Sequence, residues 1–239
     1  ADIRGCSFKD ANLKSADFTG AKGIGEADFT GTTGYTAGTI LVRRACKAPP
    51  DVNADFKNCD IRGVDWSGKN MEYAMLDGAD LSGSTLDLTK LYTASLVDAN
   101  AVKASFRRAD MGAVNMQGIN LMRADLTLAN MNMATLSGAV AQFATFDSVD
   151  LGDADLQGAS FRDTKIRNSN FMRCDGRNVD FTRANLRGTD FNSAKLQGAT
   201  FSRADITGVS FKDAKLLGAD FRGVTGFDAA DFTGSFNPP

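Results

Sequence analysis

Between Ala54 and Gly223 large apolar residues recur at every fifth position, without an insertion or a gap. Writing the unit as A-[D/N]-[L/F]-x-x, the runs ADLSG (79–83), ADLQG (154–158), ANLRG (184–188) and ADFRG (219–223) share one frame, which holds for 34 units. The third position is large and apolar in 31 of them and fails only at Ala101, Ala141 and Gly176. The first is Ala in 20 units, with Val, Ser, Thr or Cys at most others. A period of five fits neither the 3.6 residues of a helix turn nor the two-residue alternation of a strand. Asp or Asn fills the second position in 20 units, and Gly the fifth in 12. Both residue types form turns, the first by bonding nearby backbone and the second by accepting positive φ. A turn every five residues winds the chain around an axis, with first and third side chains inside. The pattern predicts a solenoid whose units contact chiefly their neighbours in the stack.

The motif resembles the pentapeptide-repeat family, and the resemblance covers most of the chain. It implies an all-β fold, a right-handed quadrilateral β-helix of about eight to ten coils with four units per coil. Residues 20 apart then stack in columns at the ~4.8 Å spacing of neighbouring strands. Phe161, Phe181, Phe201 and Phe221 fall in one column, and Phe171, Phe191 and Phe211 in the one opposite. Columns carrying Ile166, Leu186 and Ile206, and Leu156, Leu196 and Leu216, lie between them.

One solenoid domain is expected over 1–239. Residues 1–31 read as an N-terminal coil (ADIRG, CSFKD, ANLKS, ADFTG, with ADFTG again at 27–31). Residues 32–53 abandon the pattern and read as an inserted loop, with a short helix over Thr36–Lys47 stopped by Pro49-Pro50. The tract of 54–223 comes next, and the tail of 224–239 slips register at Gly226. The chain opens at Ala1 inside a repeat, without a methionine or signal sequence; a removed targeting segment and a piece of a longer protein both fit that start.

Net charge is −2, so bulk charge implies attraction to neither nucleic acid nor an anionic membrane. No apolar run approaches the ~20 residues of a membrane helix, and the chain reads as soluble. There is no histidine, the cysteines lack metal-ligand spacing, and no glycine loop leads into a helix. The 13 Asp residues at second positions are explained by turn bonding. No catalytic residue, metal or cofactor is expected, and the reading is non-enzymatic. Cys6, Cys59 and Cys174 occupy small first positions, whereas Cys46 lies outside the repeat and is the one free to form a disulfide, its partner open.

Recognition is left to the fourth and fifth positions, which point outward. They carry a basic cluster, Arg162, Arg183, Arg203 and Arg222 with Arg167 and Arg187 alongside, read chiefly as solvated charge. The apolar ones are more telling: Tyr73, Leu88, Tyr92, Met122, Leu128, Met133 and Phe143 all lie in the middle of the tract. Exposed apolar patches mark binding surfaces, so these seven are the candidate contacts for a protein partner. The resemblance implies two further settings. Some family members bind type II topoisomerases such as gyrase by mimicking the shape and negative charge of DNA; here the outward positions are net basic. The family is also abundant in cyanobacteria and occurs as imported proteins of the thylakoid lumen, so the resemblance also implies a processed subunit of a larger photosynthetic assembly.

Overall fold

The computed structural model describes Ser7, residues 44–46 and residues 49–237. Two compact units divide the chain, Ala1–Ala45 and Cys46–Pro239, and the second carries the solenoid. The N-terminal coil and nearly all of the 32–53 insertion lie outside the described residues. Within the expected Thr36–Lys47 helix, Arg44–Ala45 is instead a two-residue strand. The β-branched Ile40 and Val42 just before it favour extended backbone over helix.

Each coil takes 20 residues. Parallel bridges join second-position residues across that interval from Asp55↔Met75 to Asp205↔Thr225, with none skipped. One unit shows where four of its five backbone N–H groups go. Ala159 closes a turn onto the carbonyl of Leu156 at 3.0 Å, Ser160 donates back to Ala139, and Phe161 donates forward to Asp180 at 2.8 Å. Asp163, the fifth residue of its unit, also donates forward, to Thr182 at 3.0 Å. The fourth N–H lacks a backbone acceptor, and in units with Asp or Asn at the second position that carboxylate or amide serves. Asp125 Oδ1 takes the N–H of Thr127 at 2.9 Å and Asn170 Oδ1 that of Met172 at 2.9 Å. This is why Asp and Asn dominate the second position: they satisfy a donor that would otherwise face the coil edge unpaired.

Some units lack that side chain, and the coil before them supplies it. Ser105 replaces Asx, and the N–H of Arg107 is taken by Asp87 Oδ1 at 2.9 Å. Asp77 does the same for Val97, Asp147 for Arg167 and Asn192 for Lys212.

Every fifth residue from Asn53 to Gly223 has φ between 52° and 73°. With the turn closed by an i→i+3 bond, a positive φ at its third residue makes it type II. Glycine adopts that conformation freely; other residues do so at a cost of about 1–2 kcal/mol. The fifth position is therefore the strained point of the repeat.

The interior is filled by first and third side chains. From Leu76 to Leu216 the apolar third positions are almost wholly excluded from water. Phe161, Phe181, Phe201 and Phe221 stack at 5.4, 5.3 and 4.8 Å between centroids, as do Phe171, Phe191 and Phe211 at 4.9 and 5.5 Å. Edge contacts such as Phe191–Phe201, at 6.0 Å and 86°, join the two columns across the interior. Gly176, the one third position without a side chain, leaves its space to Leu196, whose Cδ2 would lie 3.0 Å from an added Cβ.

The register slip falls at Gly226. Thr225 still pairs 20 residues back, whereas Asp231 pairs with Ser210 and Phe236 with Lys215, each 21 back. The 3-10 turn Phe227–Ala229 holds the extra residue. Phe232 then returns to the column, stacked 5.0 Å from Phe211 at 8°. Pro238 and Pro239 lie outside the described residues.

Candidate functional site

The turns stack in columns as the straight segments do, and this places the seven candidate residues. Tyr73, Tyr92 and Met133 belong to one turn column, Leu88 and Leu128 to the preceding one, and Met122 and Phe143 to the one before that. They form three parallel ribs and not a single flat patch. Six are exposed, between 45% and 64%, while Met122 is half-buried. The backbone separates them further. Tyr73, Leu88, Leu128, Met133 and Phe143 all occupy the fifth position, with φ of 60–64°.

Local packing adapts to two of them. The ring of Tyr92 lies over Gly112 in the next coil, where an added Cβ would come within 3.1 Å of Tyr92 Cδ2. The guanidinium of Arg123 sits 6.0 Å from the ring centroid of Phe143, one coil farther along the same rib; that is cation–π range.

The charges around these ribs differ from those farther along the chain. Most of the C-terminal arginines are consumed in ion pairs. Arg173 and Arg183 pair with Asp153 and Asp163 at 2.6 Å, each through two nitrogens. Arg162, Arg167, Arg187 and Arg222 pair with Asp180, Asp147, Asp205 and Asp220. The hydrogen bonds from Arg173 and Arg183 hold the carboxyls of Asp153 and Asp163 below the usual range. Of the basic cluster read from the sequence, Arg203 alone lacks an ion pair among the described residues, and it borders a shallow groove with Thr182, Arg183 and Ser202. Around the apolar ribs the situation reverses. Lys90, Lys103, Arg108 and Arg123 form no ion pair among the described residues, and only Arg107 does, with Asp125 at 2.9 Å.

Cysteine chemistry departs from the sequence reading at one residue. Cys59 is bonded to Cys46, with Cα atoms 5.6 Å apart. A first-position side chain ordinarily meets only the interior, but Cys59 stands at the start of the 54–223 tract, where a segment from outside the repeat reaches its sulfur. Cys174 is free, and burial pushes its thiol up, away from reactivity. Cys6 lies outside the described residues. Among the described residues no group of three or more His, Cys, Asp or Glu side chains could hold a metal ion, and no helix is long and apolar enough to cross a membrane.

Sequence reasoning missed the exposed apolar residues of the last coils, Leu217, Phe227 and Phe236. Leu217 is a fourth-position residue and could have been found by the same rule as the others. Phe227 and Phe236 come after the register slip, where the five-residue frame no longer assigns a direction.

Solved structures with this winding include a trypsin-treated form of QnrB1, a plasmid-mediated fluoroquinolone resistance protein, at 17% identity. It covers 77% of this chain and 89% of that one, with a TM-score of 0.52. HetL, a pentapeptide repeat protein involved in heterocyst differentiation regulation from the cyanobacterium Nostoc sp. strain PCC 7120, is 24% identical over 77% of this chain and 89% of that one (TM-score 0.38). A pentapeptide repeat protein of the Arabidopsis thaliana thylakoid lumen is 24% identical over 49% of this chain and 68% of that one (TM-score 0.29). The likeness to QnrB1, at 17% identity, is one of fold. No curated protein sequence matches the chain. The family described as Pentapeptide repeats (8 copies) matches residues 1–33, 52–87, 89–127 and 104–140, and the Pentapeptide repeat region matches 144–221. With its repeats matched over most of its length, the chain belongs to the pentapeptide repeat family.

Proposed function

We propose that this protein is a non-enzymatic docking protein, a right-handed solenoid of about eight to ten coils interrupted by an inserted segment at 32–53. It binds another protein through the apolar ribs between Tyr73 and Phe143. One observation carries this reading: bulky apolar side chains occupy positive-φ turn positions where they are also exposed. At such a position glycine is free of strain, and Asn or Asp is tolerated. Leu88, Leu128 and Met133 gain neither backbone ease nor burial there, so the folded chain by itself gives no reason for them. Strain of this kind collects at functional sites. A partner that covers them supplies the reason.

The alternative, a DNA-mimicking topoisomerase-binding protein, calls for an acidic exterior. Acidic residues such as Glu72 and Asp87 are interspersed there with Lys103, Arg108 and Arg123, a mixed exterior that weighs against it.

The test separates folding from binding. Tyr92→Asp with Met133→Asp should leave the fold intact, by circular dichroism and thermal melting, and abolish capture of the partner from native material. Unchanged capture would refute the reading.

A further inference from the structure

Along one rib Leu88, Arg108 and Leu128 stand in successive coils, each 20 residues from the next. Apolar, cationic and apolar side chains thus alternate at the rise of the solenoid, ~4.8 Å per coil. The neighbouring rib reads Lys103, Arg123 and Phe143, and Lys90 lies on the straight segment between Leu88 and Tyr92. All three fifth-position residues of the first rib have positive φ, so Arg108 bears the same backbone strain as the two leucines. None of Lys90, Lys103, Arg108 and Arg123 has an acidic partner among the described residues, whereas in the C-terminal coils bidentate pairs such as Arg173–Asp153 are formed within the chain.

We propose that these ribs receive an acidic amphipathic helix of the partner protein, lying along the solenoid axis. The inference rests on the docking reading above and names the partner's chemistry. Geometry selects a helix. Side chains three or four residues apart on one helix face rise ~4.5–6 Å, which brackets one coil, and two coils match a separation of six or seven residues. In an extended strand, side chains on one face recur every ~6.8 Å and fall out of step after one coil. Charge selects the sign: a carboxylate between two apolar anchors meets Arg108 while the anchors cover Leu88 and Leu128, and a flanking acid meets Lys103. Lys90 already neighbours Asp110 in the next coil and Arg123 the ring of Phe143, but a basic or neutral helix would leave Arg108 desolvated between two covered leucines without compensation.

A photo-crosslinking residue in place of Lys90 in the full chain, irradiated in native material, identifies the segment that lies on the ribs. The expected product is a helical segment with apolar residues three or four apart and carboxylates between them. A strand, or a basic or uncharged segment, would overturn the proposal. In parallel, Arg108→Glu with Arg123→Glu should lower capture at least about tenfold, and Lys in place of the partner's facing carboxylate should restore it. If Leu88→Gly and Leu128→Gly abolish capture but the charge reversals leave it unchanged, the helix is not acidic and this inference alone fails. If the glycine replacements also leave capture unchanged, the docking reading fails with it.

Discussion

Phe191 and Phe211 lie face to face in consecutive coils, ring centroids 5.5 Å apart and planes within 7°. Phe191 also meets Phe181 and Phe201 edge-on, at 5.5 and 6.0 Å, from the opposite column. Each ring is therefore packed above, below and across. Phe191→Ala removes all of these contacts from a wholly buried site, and a loss of about 3–5 kcal/mol is expected. Urea unfolding followed by near-ultraviolet circular dichroism would measure it. A loss below about 1 kcal/mol would mean that the rings are filler and not a stabilising column.

Glycine at the strained turns should act in the opposite direction. Met133 and Leu88 have φ of 60° with their side chains in water. Met133→Gly and Leu88→Gly should each raise stability by up to about 1 kcal/mol, readable as a higher melting temperature, while partner capture falls. Destabilisation by either would show that the side chain supports the fold.

Acid should act first on the paired carboxylates. Hydrogen bonds from the Thr233 side chain and backbone, with Lys212 adding to them, hold Asp231 down to about 2. A carboxyl whose folded value is depressed contributes stability above its unfolded value near 4, and that contribution is lost as pH falls from about 4 toward 2. Asp153 and Asp163, lowered by Arg173 and Arg183, act in the same sense. Hydrogen exchange in the last coil should accelerate across this window in the parent chain. The acceleration should shrink in Asp231→Asn, and an unaltered profile would show that the carboxylate plays no part.

Gly226→Ala tests the register slip. Gly226 has φ 76°, and an added Cβ would lie 2.6 Å from Thr207 Cα and 2.7 Å from Thr207 N, backbone atoms that have little room to move. Strain and overlap together should cost about 2–4 kcal/mol and release the 3-10 turn. Phe232 should then lose its place against Phe211, and exchange protection should fall from Thr225 onward.

Cys46→Ser opens the loop to Cys59, a separation of 13 residues. Loop entropy gives about 3 kcal/mol for such a closure. Dithiothreitol should lower the melting temperature of the parent chain to that of the variant, and leave the variant unmoved.

Periodicity by itself determined that the chain winds, which positions face inward and where the register slips at Gly226; the four-unit coil, and with it the facing Phe columns, came from the resemblance to the pentapeptide-repeat family. A strict five-residue repeat buries its apolar residues by turning their positions inward, and with four units to a coil column membership follows from counting. It also located the apolar residues on the outside, because fourth and fifth positions have nowhere else to point. What counting could not supply was decided between coils. That Cys59 is bonded to Cys46, that Asp87 caps the N–H of Arg107, and that Met122 is half-buried while Met133 is exposed all depend on how side chains meet across a gap of one coil. The same holds for charge. Arg173 finds Asp153 in the coil below, whereas among the described residues no acid pairs with Arg108. A pattern that assigns columns carries no information about which ends of long side chains will touch. Spacing alone populated the ribs; only the stacked coils revealed which of their cations form no ion pair among the described residues.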